Sequence, residues 1–223
     1  MDRDFLRALY DAGVAAAHPD VCLPPHLPPA PAGRVILLGA GKAAGAMTAA
    51  AERFYLDDQG LPPDRLTGLA VARHGYGRPT RHVPVIEAGH PVPDEAGVMA
   101  TQKVLDLAGQ ARPDDLVLVL LSGGGSANWI APAGALTLAE KQAITRACLR
   151  SGANISEINC LRKHLSRIKG GRLAKAVRGA PLLTLAISDV PHDDPSAIAS
   201  GPTVPDPTTL ADAKAIVSAQ TTM

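Results

Sequence analysis

The chain has 223 residues, enough for one large domain with a substantial buried core. Its 22 basic and 21 acidic residues leave a net charge of +1, which excludes a global field that would draw nucleic acid or an anionic membrane. With 46% hydrophobic residues, and glycine and proline at 21 and 20, the composition is that of a folded domain and not of a low-complexity chain.

Cys22, Cys148 and Cys160 are scattered and form no C-x-x-C pair, which argues against a disulfide framework and against a structural zinc site. No apolar run approaches the ~18 residues of a membrane helix, and Asp2 and Asp4 are wrong for a signal peptide. A cytoplasmic protein is the expectation.

Phe5, Leu6, Leu9, Tyr10 and Val14 recur at helical spacing and predict an amphipathic helix within residues 1–20. Residues 21–33 are crowded with proline, whose fixed φ suits neither a helix interior nor a central strand, so they read as an extended linker. From residue 34 to 223 strands and helices alternate. Residues 35–38 predict a short buried strand, and 39–45 open a helix rich in small residues. Residues 67–72 and 83–87 read as strands, and 96–107 as a helix after Pro93-Asp94.

The run 116–121 is apolar without alternation, as expected for a strand covered on both faces of a mostly parallel sheet. Ser122-Gly123-Gly124-Gly125-Ser126 leaves it abruptly. Thr137-Leu-Ala-Glu140 is a capping box that starts a helix ending by Gly152. Ser156 is expected to cap the next helix, with Ile158, Leu161, Leu165 and Ile168 as its buried stripe. Its basic residues, Arg162, Lys163, Arg167 and Lys169, fall largely on other faces and read as solvated. Gly170-Gly171 breaks that helix, 182–187 form a further strand, 188–203 a long loop, and a last helix follows Asp206-Pro207. The alternation defines an α/β class: a Rossmann-like layered domain on a mostly parallel sheet.

In such folds ligands gather at the carboxyl ends of strands. Three ends stand out, at 39–45, 122–126 and 188–194. Three successive glycines let several N–H groups point into one concavity, flanked by the hydroxyls of Ser122 and Ser126; a tight turn would use the same residues. With Lys42 to bridge phosphate oxygens and Asp189 to hold Mg²⁺ or orient an acceptor hydroxyl, the set suits phosphoryl transfer. Singly, Lys42 reads as well as a solvated side chain, and Asp189 or Asp193-Asp194-Pro195 as turn chemistry.

A competing reading is a reductase. Gly39-Ala-Gly41-Lys-Ala-Ala44 satisfies G-x-G-x-x-G/A, and Arg73 ends the following strand where an arginine accepts the 2′-phosphate of NADPH. The segment is no Walker A loop, since Ala43 replaces the required Ser or Thr. A serine hydrolase is a poorer fit because Asn128 breaks G-x-S-x-G. His90, between Gly89 and Pro91, reads as a ligand donor or as a loop histidine bonded to backbone. The basic stretch 162–172 offers a carboxylate or phosphate site, with a solvated face as the favoured alternative.

Five blocks in order carry a resemblance: Leu38-Gly-Ala-Gly-Lys-Ala-Ala44, Ala88-Gly-His-Pro-Val-Pro-Asp-Glu-Ala-Gly97, Leu121-Ser-Gly-Gly-Gly-Ser-Ala127, Ile158 through Leu173, and Ile187 through Thr203. The chain resembles the N-terminal region of the glycerate 2-kinase family, also labelled TtuD-type hydroxypyruvate reductases, whose members carry a C-terminal MOFRL domain. The resemblance implies ATP- and Mg²⁺-dependent phosphorylation of D-glycerate at its 2-hydroxyl. It implies Lys42 and Asp189 as catalytic, Asp189 as metal ligand, and Ser122, Gly123, Gly124, Gly125 and Ser126 as the phosphate cradle, with Gly39 and Gly41 as further cofactor contacts. Asn128-Trp129 departs from the aliphatic residues usual there, and His192 stands where glycine is common. Family members continue well beyond residue 223, so the last helix reads as truncated. A chain lacking the MOFRL domain is expected to be a weak or inactive kinase with some apolar surface exposed. Oligomeric state is left open.

Overall fold

The structure, a computed structural model, describes residues 2–221. Five strands, β1 (Val35–Ala40), β2 (Leu66–Arg73), β3 (Val85–Ala88), β4 (Leu116–Ser122) and β5 (Leu182–Ile187), form one sheet in the order β3-β2-β1-β4-β5. Every pairing is parallel. The helices are α1 (Arg3–Ala16), α2 (Pro19–Cys22), α3 (Ala44–Arg53), α4 (Glu95–Gly109), α5 (Gly125–Asn128), α6 (Leu138–Arg150), α7 (Ile155–His164), α8 (Arg172–Ala176) and α9 (Leu210–Thr221). Among the described residues no helix is long and apolar enough to cross a membrane.

β1 and β4 are buried along their whole length, which is why their sequences run apolar without alternation. The period of two persists inside the protein. Ile36, Leu38 and Ala40 face one layer with Ala100 and Val104 of α4, Trp129 and Leu173. Val35 and Leu37 face the other, with Met47, Ala50 and Ala51 of α3, Leu23, Leu27 and Tyr55. Truncating a residue such as Leu118 to alanine would cost about 2–5 kcal/mol, since it is wholly buried in the second layer.

The proline-rich segment is anchored to this second layer. Leu23 and Leu27 are buried, the Tyr55 hydroxyl donates to the Pro28 carbonyl at 3.0 Å, and Arg65 donates to the carbonyls of Pro31 and Ala32, both at 2.7 Å. At the amino ends of the strands Arg34 pairs with buried Asp115 at 2.7 Å. Burial pushes the Asp115 carboxyl up, but hydrogen bonds from the Arg34 side chain and from the Arg34 and Arg112 N–H groups outweigh it and leave the pKa at about 2. The opposite, carboxyl ends are thereby free to carry loops.

Three expectations are corrected here. Asn154, not Ser156, caps α7: its Oδ1 accepts from the Glu157 N–H at 3.0 Å while the Glu157 carboxylate accepts from the Asn154 N–H at 2.8 Å. The helix ends at His164, because Ser166 leaves it to bridge Pro132. And of its four basic residues only Arg167 is exposed, since Lys163 and Lys169 are buried and Arg162 is half-buried. The short α8 carried no signal of its own.

Candidate active site

The strand order places β1 beside β4, while the chain leaves β1 toward β2 and enters β4 from β3. The crevice between their carboxyl ends is therefore the switch point of the sheet. Register aligns the loops: Ala40 pairs with Leu121, and Leu121 with Ala186, so Lys42, Gly123 and Ser188 emerge at the same level. The three loops singled out in the sequence meet because β1, β4 and β5 are neighbours in the sheet.

The two glycine loops differ in what their N–H groups do. In the β1 loop Gly41 donates to the Val71 carbonyl at 3.1 Å, Lys42 to the Gly123 carbonyl at 2.9 Å, and Ala43 to the Ser122 hydroxyl at 2.9 Å. Ala44 donates to the Gly41 carbonyl at 3.1 Å. Gly41 has φ +118°, and a Cβ there would collide with the Ser122 carbonyl and hydroxyl oxygens. Gly39 packs against Ala70 and Thr48. Both glycines lie beneath the crevice and lock β1 to its neighbours.

In the β4 loop the N–H groups of Gly124, Gly125 and Ser126 have no acceptor among the described residues. Gly124, at φ +92°, lies against the His90 ring and the Lys42 side chain. The Asp189 carboxylate sits directly over Gly123, and Lys42 Nζ lies 3.7 Å from Asp189 Oδ2. Both side chains are open to solvent, at 43% and 60% exposure, so a ligand can reach them. Asp193 and Asp194 are not part of this group. Asp194 accepts from the Ser196 N–H at 2.8 Å and hydroxyl at 2.9 Å, as ordinary turn chemistry, and Asp193 lines a different cavity at β5.

Beneath the β4 loop a cavity of about 340 Å³ is walled by the glycines, Ser122, Ser126, His90 and Asp189 on one side and by Asn159 and Arg162 of α7 on the other. The Ser126 and Ser200 hydroxyls are 2.7 Å apart, and Ser200 donates to Asn159 Oδ1 at 3.3 Å. Burial foremost, then the charges of Lys42, Arg73 and Arg162, push the His90 imidazole below its ordinary value, against the pull of Asp189. Asn159 and Ser200 escaped the sequence reading altogether; the hydrophobic stripe of α7 pointed to its apolar neighbours and nothing marked Asn159 out.

The Ser188–Thr203 loop is held in unusual backbone. His192, Asp193, Ala199 and Ser200 all have φ between +50° and +63°. The resemblance puts a glycine at position 192, and φ +63° at His192 supplies the physical reason for one.

A parallel α/β sheet with open N–H donors, a lysine and a carboxylate at its switch point can hold an anionic ligand. The chain belongs to the family described as Domain of unknown function (DUF4147), whose model matches residues 5–223. It is similar to the crystal structure of a glycerate kinase from Thermotoga maritima, with a TM-score of 0.83 and 40% identity over 96% of this chain and 50% of that one. It is 44% identical over 185 residues to the glycerate 2-kinase of Pyrococcus horikoshii, covering 83% of this chain and 40% of that protein. It is also 50% identical over 216 residues to a protein of Agrobacterium vitis named as a hydroxypyruvate reductase, covering 97% of this chain and 48% of that protein. The chain spans about half the length of the curated relatives it matches. The resemblance read from the five blocks is met by these relatives.

Proposed function

We propose that this chain carries the nucleotide-binding and phosphoryl-transfer machinery of a glycerate 2-kinase, which moves the γ-phosphoryl group of ATP to the 2-hydroxyl of D-glycerate. The observation that carries the reading is the set of unengaged N–H groups at Gly124, Gly125 and Ser126 beside the Lys42–Asp189 pair. A polyphosphate needs such donors, and phosphoryl transfer relies on positioning and charge neutralisation more than on covalent chemistry. In this account Ser122 to Ser126 cradle the phosphates and Lys42 balances the charge that develops on the transferred group. Asp189 orients the acceptor hydroxyl and takes its proton as the oxygen bonds to phosphorus and ADP departs.

Among the described residues no three His, Cys, Asp or Glu side chains form a metal cluster. Mg²⁺ is ordinarily held by one or two carboxylates with water and substrate phosphates, so exposed Asp189 fits as its protein ligand. Bound there, the ion would supply charge neutralisation between phosphates. The relatives' other half, which the resemblance identifies with the MOFRL domain, would close the cleft. A cytoplasmic setting with a small-molecule partner suits this chemistry.

The reductase reading is disfavoured by the β1 loop. A dinucleotide pyrophosphate needs N–H groups that Gly41, Lys42, Ala43 and Ala44 already give to other oxygens. Arg73 stacks on the Tyr76 ring, 4.9 Å from its centre. Calorimetric titration of the chain with Mg·ATP, and separately with NADPH, tests the choice. We expect Mg·ATP to bind, Lys42→Ala to weaken it about 10–100-fold, the worth of one charge-assisted contact, and Gly124→Val to abolish it. NADPH binding that survives Gly124→Val would overturn the kinase reading.

A further inference from the structure

α6, α7 and the turn after α7 hold three basic side chains, Lys141, Arg162 and Lys169, that nothing negative balances among the described residues. Lys141 Nζ donates to the Leu165 carbonyl at 3.0 Å and Lys169 Nζ to the Trp129 carbonyl at 2.5 Å, both in the interior. Among the described residues Arg162 donates only to the Asn159 amide oxygen, at 3.3 Å. Among the described residues no carboxylate comes within ion-pair distance of any of the three, whereas neighbouring Lys163 is paired with Asp206 at 3.5 Å. Burial lowers the Arg162 guanidinium below its usual range, and the one group pulling it up is the Cys148 thiol, which burial itself holds protonated.

Half-burying a guanidinium without a counter-charge is unfavourable, and a well-packed neutral side chain would serve the fold better. Arg162 nevertheless reaches the wall of the cavity under the β4 glycine loop. Beside it Asn159, also on the wall and only 7% exposed, has its amide oxygen engaged twice and its amide N–H groups without an acceptor among the described residues. A planar guanidinium fork and an adjacent amide donor match a carboxylate, which accepts two parallel hydrogen bonds. The phosphates already have donors at the glycine loop.

We propose that Arg162 and Asn159 form the carboxylate subsite of this cleft, seating the acid group of a small 2-hydroxy acid while its hydroxyl faces Asp189. The inference rests on reading the cleft as a hydroxy-acid kinase site, and deepens it by naming the residues that select an acid over a neutral polyol. Lys141, charged below about pH 8, raises the positive potential behind the subsite without touching the ligand.

Calorimetry on the full chain tests it, with D-glycerate and Mg·ATP as separate titrants and glycerol as the neutral control. Arg162→Gln should weaken D-glycerate about 10–100-fold, the worth of a charged hydrogen-bonded pair, and leave Mg·ATP within about twofold. Arg162→Lys should fall between. The ligand-free Arg162→Gln protein should melt about 2–4 °C above the parent, because an unbalanced charge has gone; a purely structural arginine would give a lower melting point instead. D-glycerate binding to the parent but unchanged in Arg162→Gln, or no stronger than glycerol, would overturn the inference. So would a loss confined to Mg·ATP, which would make Arg162 a phosphate contact. If D-glycerate binds and depends on Arg162 while Mg·ATP does not bind at all, the subsite stands and the kinase reading falls.

Discussion

At the scale of single residues, Gly41 shows how a glycine can serve a site without touching its ligand. Its φ of +118° and its contact with the Ser122 oxygens set the β1 loop against the β4 loop, and thereby place Lys42 beside Gly124. Gly41→Ala should therefore lose about 2–4 kcal/mol of stability through backbone strain and collision with a neighbouring main chain. Gly60 also has positive φ, at +63°, but nothing lies within 4 Å of a Cβ there, so Gly60→Ala should lose only about 1 kcal/mol. Urea unfolding of the two variants separates the effects, and equal losses would mean that the Ser122 contact is unimportant. The G-x-G spacing was visible in the sequence, but its purpose was not. It depends on β1 lying next to β4, which no local pattern states.

Among the elements, helix and strand periodicity was legible because each buried stripe repeats at its own spacing. The capping box at Thr137 fixed the start of α6 in advance, with Thr137 and Glu140 exchanging hydrogen bonds as expected. The α7 region was misread because a basic side chain next to a hydrophobic stripe was assumed to reach water; the segment is instead covered on several sides, with α9 packed on α7 through Ala213. The same environment predicts a pH dependence. Lys141 is 2% exposed, and burial foremost, with the nearby Arg162 charge, lowers its pKa from 10.5 to about 8. The unfolded chain thus holds this proton more tightly than the native one. The cost to the fold is complete below pH 8 and is relieved as pH rises from 8 toward 10.5. Between pH 7.5 and 9.5 the parent should gain about 2 kcal/mol relative to Lys141→Met in urea unfolding. Parallel pH profiles for the two proteins would show that Lys141 is neutral already, or reaches water.

Across the whole molecule the cleft has a firm floor and a looser wall. Its floor rises from β1 and β4, central strands with every residue buried, whereas Asp189 follows β5, an edge strand whose residues are partly or fully exposed beside a cavity of about 750 Å³. α1 lies at the far extreme, with no buried residue and with Phe5, Leu9 and Tyr10 open to solvent. Amide exchange should follow that order, because central strands open only with the whole domain while thinly packed elements open locally. We expect β1 and β4 to exchange last, β5 sooner, and α1 at least ~10³-fold faster than β4. Mg·ATP, if it bridges Lys42 and Asp189, should slow exchange in the 188–193 loop far more than in β4, since only the loop has freedom left to lose. Equal slowing across both would place the mobility in the domain as a whole, and slowing confined to residues 39–45 would put the nucleotide on the β1 glycines instead.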